Sequence, residues 1–427
     1  MAAPSTHAHG HGGRPGSSPR VRGLLAALLA PFLIATVAGL VVLWPAAEVV
    51  DLAPELGAPA ELFDARVVSV TRGPCSGAPA DAGIRCSLPT VRLLEGPDRD
   101  RVIELQEQSE VGGAARLDTG DNVVLGYFPE AEEPFQYSFA DRERRVPLAV
   151  LAGIFVVAVV GLGRWQGLRS LLGLAASLAV LTTFVLPAIL GGSSPLAVAL
   201  VGSAVIAVLA LYLAHGVNAW TTTALLGTLV SLALVGVLGS VFVDAAQFSG
   251  LADEEATFLQ VTAGQIDLRG LLLGGIVIGA LGVLDDVTVT QVSAVWELHG
   301  ANPGFRRWDL YRSALRIGRD HIASTVNTLV LAYAGASLPL FLLFTQARQG
   351  LGDVINGESV AVEVVRALAG SIGLVASVPL TTALAVMVIS AERAGPASPD
   401  RPVEATSGDP RRFRSRREER FWSDDDA

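Results

Sequence analysis

The chain has 427 residues, of which 51% are hydrophobic and only 17% are charged, and its formal net charge is −10. Soluble globular proteins carry about a quarter charged residues, so this composition argues against a water-soluble globular protein and favours an integral membrane protein. The basic residues are all arginines, which excludes a phosphate-binding loop that ends in Gly-Lys, and no basic patch interleaved with aromatic residues indicates a nucleic-acid partner.

The first segments predict a tail followed by a membrane anchor. Residues 1–20 are rich in His, Gly, Pro and Ser and offer nothing to build a core, so we expect a disordered cytoplasmic tail. The next segment, 21–44, contains the charge-free stretch Leu24–Leu43, which begins like a signal peptide. About twenty apolar residues exceed a usual signal sequence and suffice to cross a bilayer, so an uncleaved first transmembrane helix is predicted.

Residues 45–145 differ in character and predict a small β-rich domain on the extracytoplasmic side, between the first and second transmembrane helices. Short β-rich runs alternate there with turn signals such as Gly96-Pro97-Asp98. The runs are Leu62–Val70, Thr90–Leu94, Val102–Gln106 and Asn122–Phe128. About five strands of this length suit a small barrel or sandwich.

The two cysteines of the chain, Cys75 and Cys86, both lie in this domain. Because they are confined to the one part predicted to leave the cytosol, they predict a disulfide formed in an oxidising compartment, with two unpaired thiols as the alternative. Such a short closed loop contributes about 3 kcal/mol to the stability of a small domain.

Seven further apolar stretches predict a helical membrane domain over 146–392, and hence about eight transmembrane helices in total. The stretches are 146–163, 170–190, 196–214, 221–243, 268–290, 323–346 and 365–391. Arginine is concentrated in the segments that this topology places inside, whereas the opposite loops are nearly free of it, so both termini are predicted to be cytoplasmic. Residues 300–322 predict an amphipathic helix on the inner membrane surface, and 393–427 a disordered tail.

The sixth span differs from the others because polar residues follow one of its faces. Residues at spacings of three and four define this face: Gly275, Gly279, Gly282, Asp286, Thr290, Ser293 and Glu297. The adjacent Asp285 and Asp286 are costly, because a carboxylate at the bilayer centre costs about 3 kcal/mol. They indicate an ion or proton site, or, alternatively, a pair that sits at the cytoplasmic interface because the helix is longer than the bilayer.

The seventh span supplies candidate partners for these carboxylates. Asp320, Ser324 and Asn327 share a face, with Thr328 beside it. Asn327 can donate and accept hydrogen bonds, so it is a candidate to bridge to Asp286 across a helix interface. A purely structural interhelical bond is the alternative.

The same two spans carry a resemblance to a known family. The residues that carry it are Gly279–Gln291, Val295–Leu298, Gly318–Gly335, Gly163–Arg169 and Leu213–Asn218. These stretches resemble the YibE/F-like family of bacterial multi-pass membrane proteins, and the likeness covers roughly 145–392. The resemblance implies a bacterial plasma-membrane location of actinobacterial type and an acidic motif at Asp285 and Asp286, but it implies no substrate.

The leading hypothesis is an ion-coupled or small-solute permease that uses the polar face of the sixth and seventh spans. The alternative is a non-catalytic scaffold whose β domain binds an extracytoplasmic protein or an envelope component. No enzymatic motif, metal site or cofactor is predicted, because the chain lacks a His-Glu-x-x-His sequence and a Ser/His dyad at helical spacing. The expected partners are the lipid bilayer and an unidentified ion or small solute.

Overall fold

The computed structural model describes residues 18–45, 57–76, 85–109, 116–346 and 350–393. The predicted tails 1–20 and 393–427 lie outside the described residues, apart from 18–20 and the last helical residue. Two regions are present: a β sheet near the N-terminus and a set of long helices.

The β region is one antiparallel sheet. Its strands are β1 (Glu61–Pro74), β2 (Arg85–Leu93), β3 (Val102–Glu104), β4 (Gln108–Ser109), β5 (Asn122–Tyr127) and β6 (Tyr137–Arg142). The strand order is β3-β2-β1-β5-β6, and β4 also pairs with β2. The four predicted strands are present, but the predicted barrel or sandwich is wrong. The 14-residue β1 pairs with β2 on one side and β5 on the other, which produces a single open layer.

One face of the sheet holds a small apolar core. Alternate residues of the central strands point into it, including Ala65, Val67, Val91 and Leu125. Burial and a hydrogen bond to Asp98 raise the pKa of Tyr137 at the edge of this core. The predicted disulfide between Cys75 and Cys86 is confirmed, with the two Cα atoms 4.8 Å apart.

The helices follow in chain order. They are α1 (Pro19–Val42), α2 (Arg145–Val180), a π-helical turn (Leu181–Val185), α3 (Leu186–Leu190), α4 (Pro195–His215), α5 (Ala219–Ala245), α6 (Glu254–Thr262), α7 (Leu268–Ala301), α8 (Arg307–Ala336), α9 (Leu338–Gln346), α10 (Leu351–Asn356) and α11 (Glu358–Arg393). Within the described residues, six helical stretches are long and apolar enough to cross a membrane. A seventh results if α8 and α9, which meet at a bend of 61°, are taken as one broken span.

If α8 and α9 are counted as one span, the remaining difference from the predicted eight spans comes from α2. The predicted spans 146–163 and 170–190 lie in one continuous stretch, Arg145–Leu190. This stretch is broken at Arg164, whose φ of 52° and ψ of −130° are not helical. The chain turns there so that Gly167 packs against the carbonyl group of Val159, although residues eight apart in a straight helix are separated by about 12 Å.

The core of the helical region is formed by α5, α7 and α11, which pack tightly against one another. The predicted amphipathic helix at 300–322 forms the first part of a longer helix, because α8 continues from Arg307 to Ala336 without interruption. Its first half does not lie alone on a surface. Leu310 and Ala314 are buried against Trp220 at the start of α5 and against the ends of α7 and α11.

Candidate functional site

The predicted polar face belongs to α7, and the opposite face of α7 fixes its position. Asp267 caps the helix by accepting a hydrogen bond from the amide of Gly270. The buried face makes three polar contacts with other helices. The hydroxyl groups of Thr228 on α5 and Thr288 on α7 lie 2.7 Å apart. Gln291 Nε2 donates to the carbonyl oxygen of Ala314 and to the hydroxyl of Thr382.

The contact between Thr228 and Thr288 sets the level of the acidic pair along the bundle. The two helices run in opposite directions, since Gly239, farther along α5, lies against Leu273, farther back on α7. Thr228 is nine residues after the start of α5 and seventeen before its end, or about 14 and 26 Å. Asp285 lies one helical turn from Thr288, and therefore close to the middle of α5.

The polar face of α7 is open and forms one wall of a groove, with α8 as the other wall. We call this the α7–α8 groove and define it by Gly275, Gly279, Gly282 and Asp286 on α7 and by His321 and Tyr333 on α8. A Cβ atom at position 282 would meet no heavy atom within 4 Å, and one at position 279 would lie 3.0 Å from Tyr333 Oη. Gly282 therefore leaves open space in the groove, whereas Gly279 lets the hydroxyl of Tyr333 approach α7 closely.

The two adjacent carboxylates have different surroundings. Asp286 points into the groove, where its Oδ2 atom is 3.8 Å from Nε2 of His321. The side chain of Asp286 is 66% exposed and that of His321 39%. Asp285 is largely covered, and one of its carboxyl oxygens is buried with no hydrogen-bond partner among the described residues. Consecutive residues of a helix point about 100° apart, and for this reason Asp286 is exposed while Asp285 is covered.

The structure brings only some of the predicted site residues together. Thr290 follows Asp286 along the groove face, and its hydroxyl donates to the carbonyl oxygen of Asp286 at 2.9 Å. Ser293 is half-buried and Glu297 is exposed farther along the same face. The predicted site residues on α8 are all exposed: Asp320, Ser324, Asn327 and Thr328.

The proposed bridge from Asn327 to Asp286 is wrong, because the residue of α8 that faces Asp286 is His321. Asn327 is six residues farther along α8, which rotates its side chain by about 240° from His321. Its side chain is exposed and lies away from the contact between the two helices.

A cavity of about 1250 Å³ opens at the end of the groove that is formed by the start of α7. We call it the outer cavity, after the side of the membrane that the topology predicted from the sequence assigns to it. Its walls are the segment 250–258, the bend between α8 and α9, and the first turns of α7 and α11. Glu358 holds the first of these walls, because its carboxylate accepts hydrogen bonds from the amides of Ser249 and Gly250.

An ion pair separates the outer cavity from the groove. Arg366 Nη1 lies 3.2 Å from a carboxyl oxygen of Glu363, and both residues line the cavity. The guanidinium carbon is 6.0 Å from the centre of the Tyr333 ring. Arg366 Nη2 lies 3.9 Å from the position of a Cβ atom at Gly275. Arg366 therefore contacts the cavity and the groove at the same time.

The part of the chain that contains this groove matches a known protein family. Residues 151–391 match the family described as YibE/F-like protein. The chain belongs to the YibE/F-like family. Both walls of the groove and the residues of the outer cavity lie in the matched segment of this YibE/F-like protein, whereas the β sheet lies outside it. Comparisons with curated proteins and with solved structures found no match.

Sequence reasoning on this YibE/F-like protein missed four participants: His321 as the partner of Asp286, Tyr333, Glu363 and Arg366. One signal was present, since Glu363 and Arg366 are opposite charges three residues apart at the start of an apolar stretch. In the part of the chain that the structure describes, no three His, Cys, Asp or Glu side chains cluster as they would around a metal ion.

Proposed function

We propose that this YibE/F-like protein is a polytopic membrane protein that moves an ion or a small solute through the α7–α8 groove. The observation that carries the proposal is one line of exposed small and polar residues on α7 that begins beside the outer cavity. The outer cavity leads to Arg366, the glycines of α7 lead from Arg366 to Asp286, and Thr290 and Glu297 continue the line towards the end of α7.

The level of the acidic pair supports a membrane-embedded route. If α5 crosses the bilayer, the register between Thr228 and Thr288 puts Asp285 and Asp286 near its centre. A carboxylate there costs about 3 kcal/mol on insertion scales and normally faces water or a polar partner. Asp286 is mostly exposed and faces an open groove, so we infer that the groove contains water in the membrane.

The proposed topology has eight spans. The break at Arg164 divides Arg145–Leu190 into two spans. The bent pair α8 and α9 is counted as one further span, although length and composition alone do not decide whether it crosses the membrane. The exposed Trp165 beside the break is a typical interfacial anchor. This topology puts both termini on the cytoplasmic side of a bacterial plasma membrane and the β sheet on the other side. Arg145 Nη1 lies 3.1 Å from Asp64, which ties the sheet to the start of α2.

The proposal is tested with the full-length protein reconstituted into phospholipid vesicles. Osmotic swelling, measured by light scattering, is recorded in a panel of inorganic salts and small neutral solutes. We expect at least one of them to enter vesicles that contain the protein and not empty vesicles. Gly282→Trp should abolish the entry, because the indole ring fills the open space at position 282. Asp286→Asn should also lose entry while the protein accumulates normally.

Gly153→Trp is the matched control for the blocking variant. Gly153 is also exposed, on α2, and a Cβ atom there would also meet nothing within 4 Å. This variant should retain the wild-type swelling rate. Absence of entry for every solute, or equal entry for wild type and Gly282→Trp, would contradict the permease and leave the scaffold hypothesis for the β sheet.

A further inference from the structure

We infer that His321 and Asp286 form a proton-binding site, and that H⁺ is the coupling ion of the route through the α7–α8 groove. The role in coupling rests on the proposed function, whereas proton binding by the pair is a property that can be measured without any transport.

The geometry of the pair carries the inference. The two side chains come from different helices and face each other across the groove, with His321 Nε2 3.8 Å from Asp286 Oδ2. Nε2 is buried and has no hydrogen-bond partner among the described residues. A charge-assisted N–H···O bond is about 2.8 Å long. An approach of about 1 Å therefore completes a bond between an imidazolium and a carboxylate.

The other charged groups around the pair come from few elements. On α7 the neighbour is Asp285, and on α8 the neighbours in sequence are Arg319 and Asp320, which are both exposed. On α11, Glu363 and Arg366 lie at the level of Gly275, eleven residues or about 16 Å along α7 from Asp286. Glu392, near the end of α11, lies farther still in the other direction.

The elements packed against the back of α7 bring no charge to this level. Helix α5 has no titratable side chain before Asp244 near its far end, and the titratable groups of α4, Tyr212 and His215, lie in its last turn. Among the described residues, Asp286 forms its ion-pair contact with His321, whose imidazole can neutralise it.

A proton suits this pair better than a metal ion does. One imidazole and one carboxylate supply two ligands, whereas protein-bound metal ions take at least four. A proton needs a single lone pair. In the proposed step, the exposed carboxylate of Asp286 accepts H⁺ from water in the groove and passes it to Nε2 of neutral His321, and the resulting imidazolium is neutralised by the Asp286 carboxylate. Loss of the proton to water on the other side restores the neutral ring, and no other bond changes.

The inference is tested by ¹⁵N solid-state NMR of the full-length, histidine-labelled protein in lipid bilayers. The His321 resonance is assigned by its loss in His321→Gln. Its ¹⁵N shifts distinguish the neutral ring from the imidazolium, and both forms should appear across a pH series. At a given pH, the share of the imidazolium form should be lower in Asp286→Asn than in wild type, because an opposite charge this close favours the protonated ring.

Asp309→Asn is the matched control, because Asp309 is an exposed carboxylate at the start of the same helix, α8. It should leave the His321 titration unchanged. A His321 resonance that shows one form at every pH, or the same share of imidazolium in wild type and Asp286→Asn, would overturn the proton site.

The vesicle experiment separates this inference from the proposed function. If His321 titrates as expected and no solute enters the vesicles, the proton site stands and the permease fails. If a solute enters at a rate that an imposed pH gradient does not change, the permease stands and proton coupling is overturned.

Discussion

The two faces of α7 use small and polar residues in opposite ways. On the face towards α4 and α5, glycines bring the helices into close contact: a Cβ atom at Gly274 would lie 3.2 Å from the carbonyl oxygen of Pro195 on α4, and one at Gly239 on α5 would lie 3.3 Å from Leu273. On the face towards α8, a side chain at Gly282 would meet nothing. The same residue type therefore closes one interface and keeps the other open.

The polar side chains differ in the same way. On the closed face, Gln291 makes two hydrogen bonds to other helices, and Thr288 is paired with Thr228. On the open face, Thr290 bonds only to the backbone of its own helix, and Asp286 stays mostly exposed. The closed face thus uses polar groups to fix the position of α7, and that position holds the groove residues at their level in the bundle.

The largest expected effect comes from filling a close contact inside the bundle, between α11 and α5. Gly373→Val places a branched side chain against Val235 on α5. Overpacking of this kind costs about 1–3 kcal/mol, and we expect the upper end because both partners lie in rigid helices. Thermal unfolding of the purified protein in detergent should show a lower midpoint. Gly282→Val, in the groove, should keep an unfolding midpoint close to that of wild type. An equal fall of the midpoint in both variants would contradict the distinction between the closed interior of the bundle and the open groove.

A smaller loss is expected from Gln291→Leu. The substitution keeps most of the volume but removes the donor to the carbonyl oxygen of Ala314 and to Thr382. Unsatisfied buried polar groups cost about 1–3 kcal/mol in total. Urea unfolding followed by tryptophan fluorescence is a suitable measurement. Ser293→Ala, on the groove side of α7, should change the stability by less than about 0.5 kcal/mol; a larger change there than at Gln291 would refute the comparison.

The smallest effect is expected from Thr228→Val, which removes the hydroxyl contact with Thr288 at nearly constant volume. Hydrogen bonds between membrane helices contribute about 0.6 kcal/mol on average, so a loss of that order should appear in the same assay. Thr290→Val serves as the control, because its hydroxyl bonds within α7. If the control loses as much stability as Thr228→Val, the interhelical contact contributes nothing specific.

The local features of this protein could be predicted from its sequence. Apolar length indicated the long helices, and the arginine pair around Gly167 indicated a break inside the stretch that begins at Arg145. The helical repeat assigned Gly275, Gly279, Gly282 and Asp286 to one face. The position of Cys75 and Cys86 in one short segment predicted their disulfide. Each of these depends on neighbours in the chain, which hydropathy and periodicity report directly.

The pairing of residues across elements was decided only by the tertiary structure. Asn327 and His321 lie on the same helix, and nothing local tells which of them faces Asp286. That choice depends on how far α8 is rotated and shifted against α7, which follows from the burial of Leu310 and Ala314. The pair formed by Glu363 and Arg366 contacts the groove for the same reason, because close packing at Gly373 fixes where α11 lies. The arrangement of the described strands was likewise decided by pairing across the chain, since β1 pairs with both β2 and β5 and leaves β3 and β6 at the ends of the strand order.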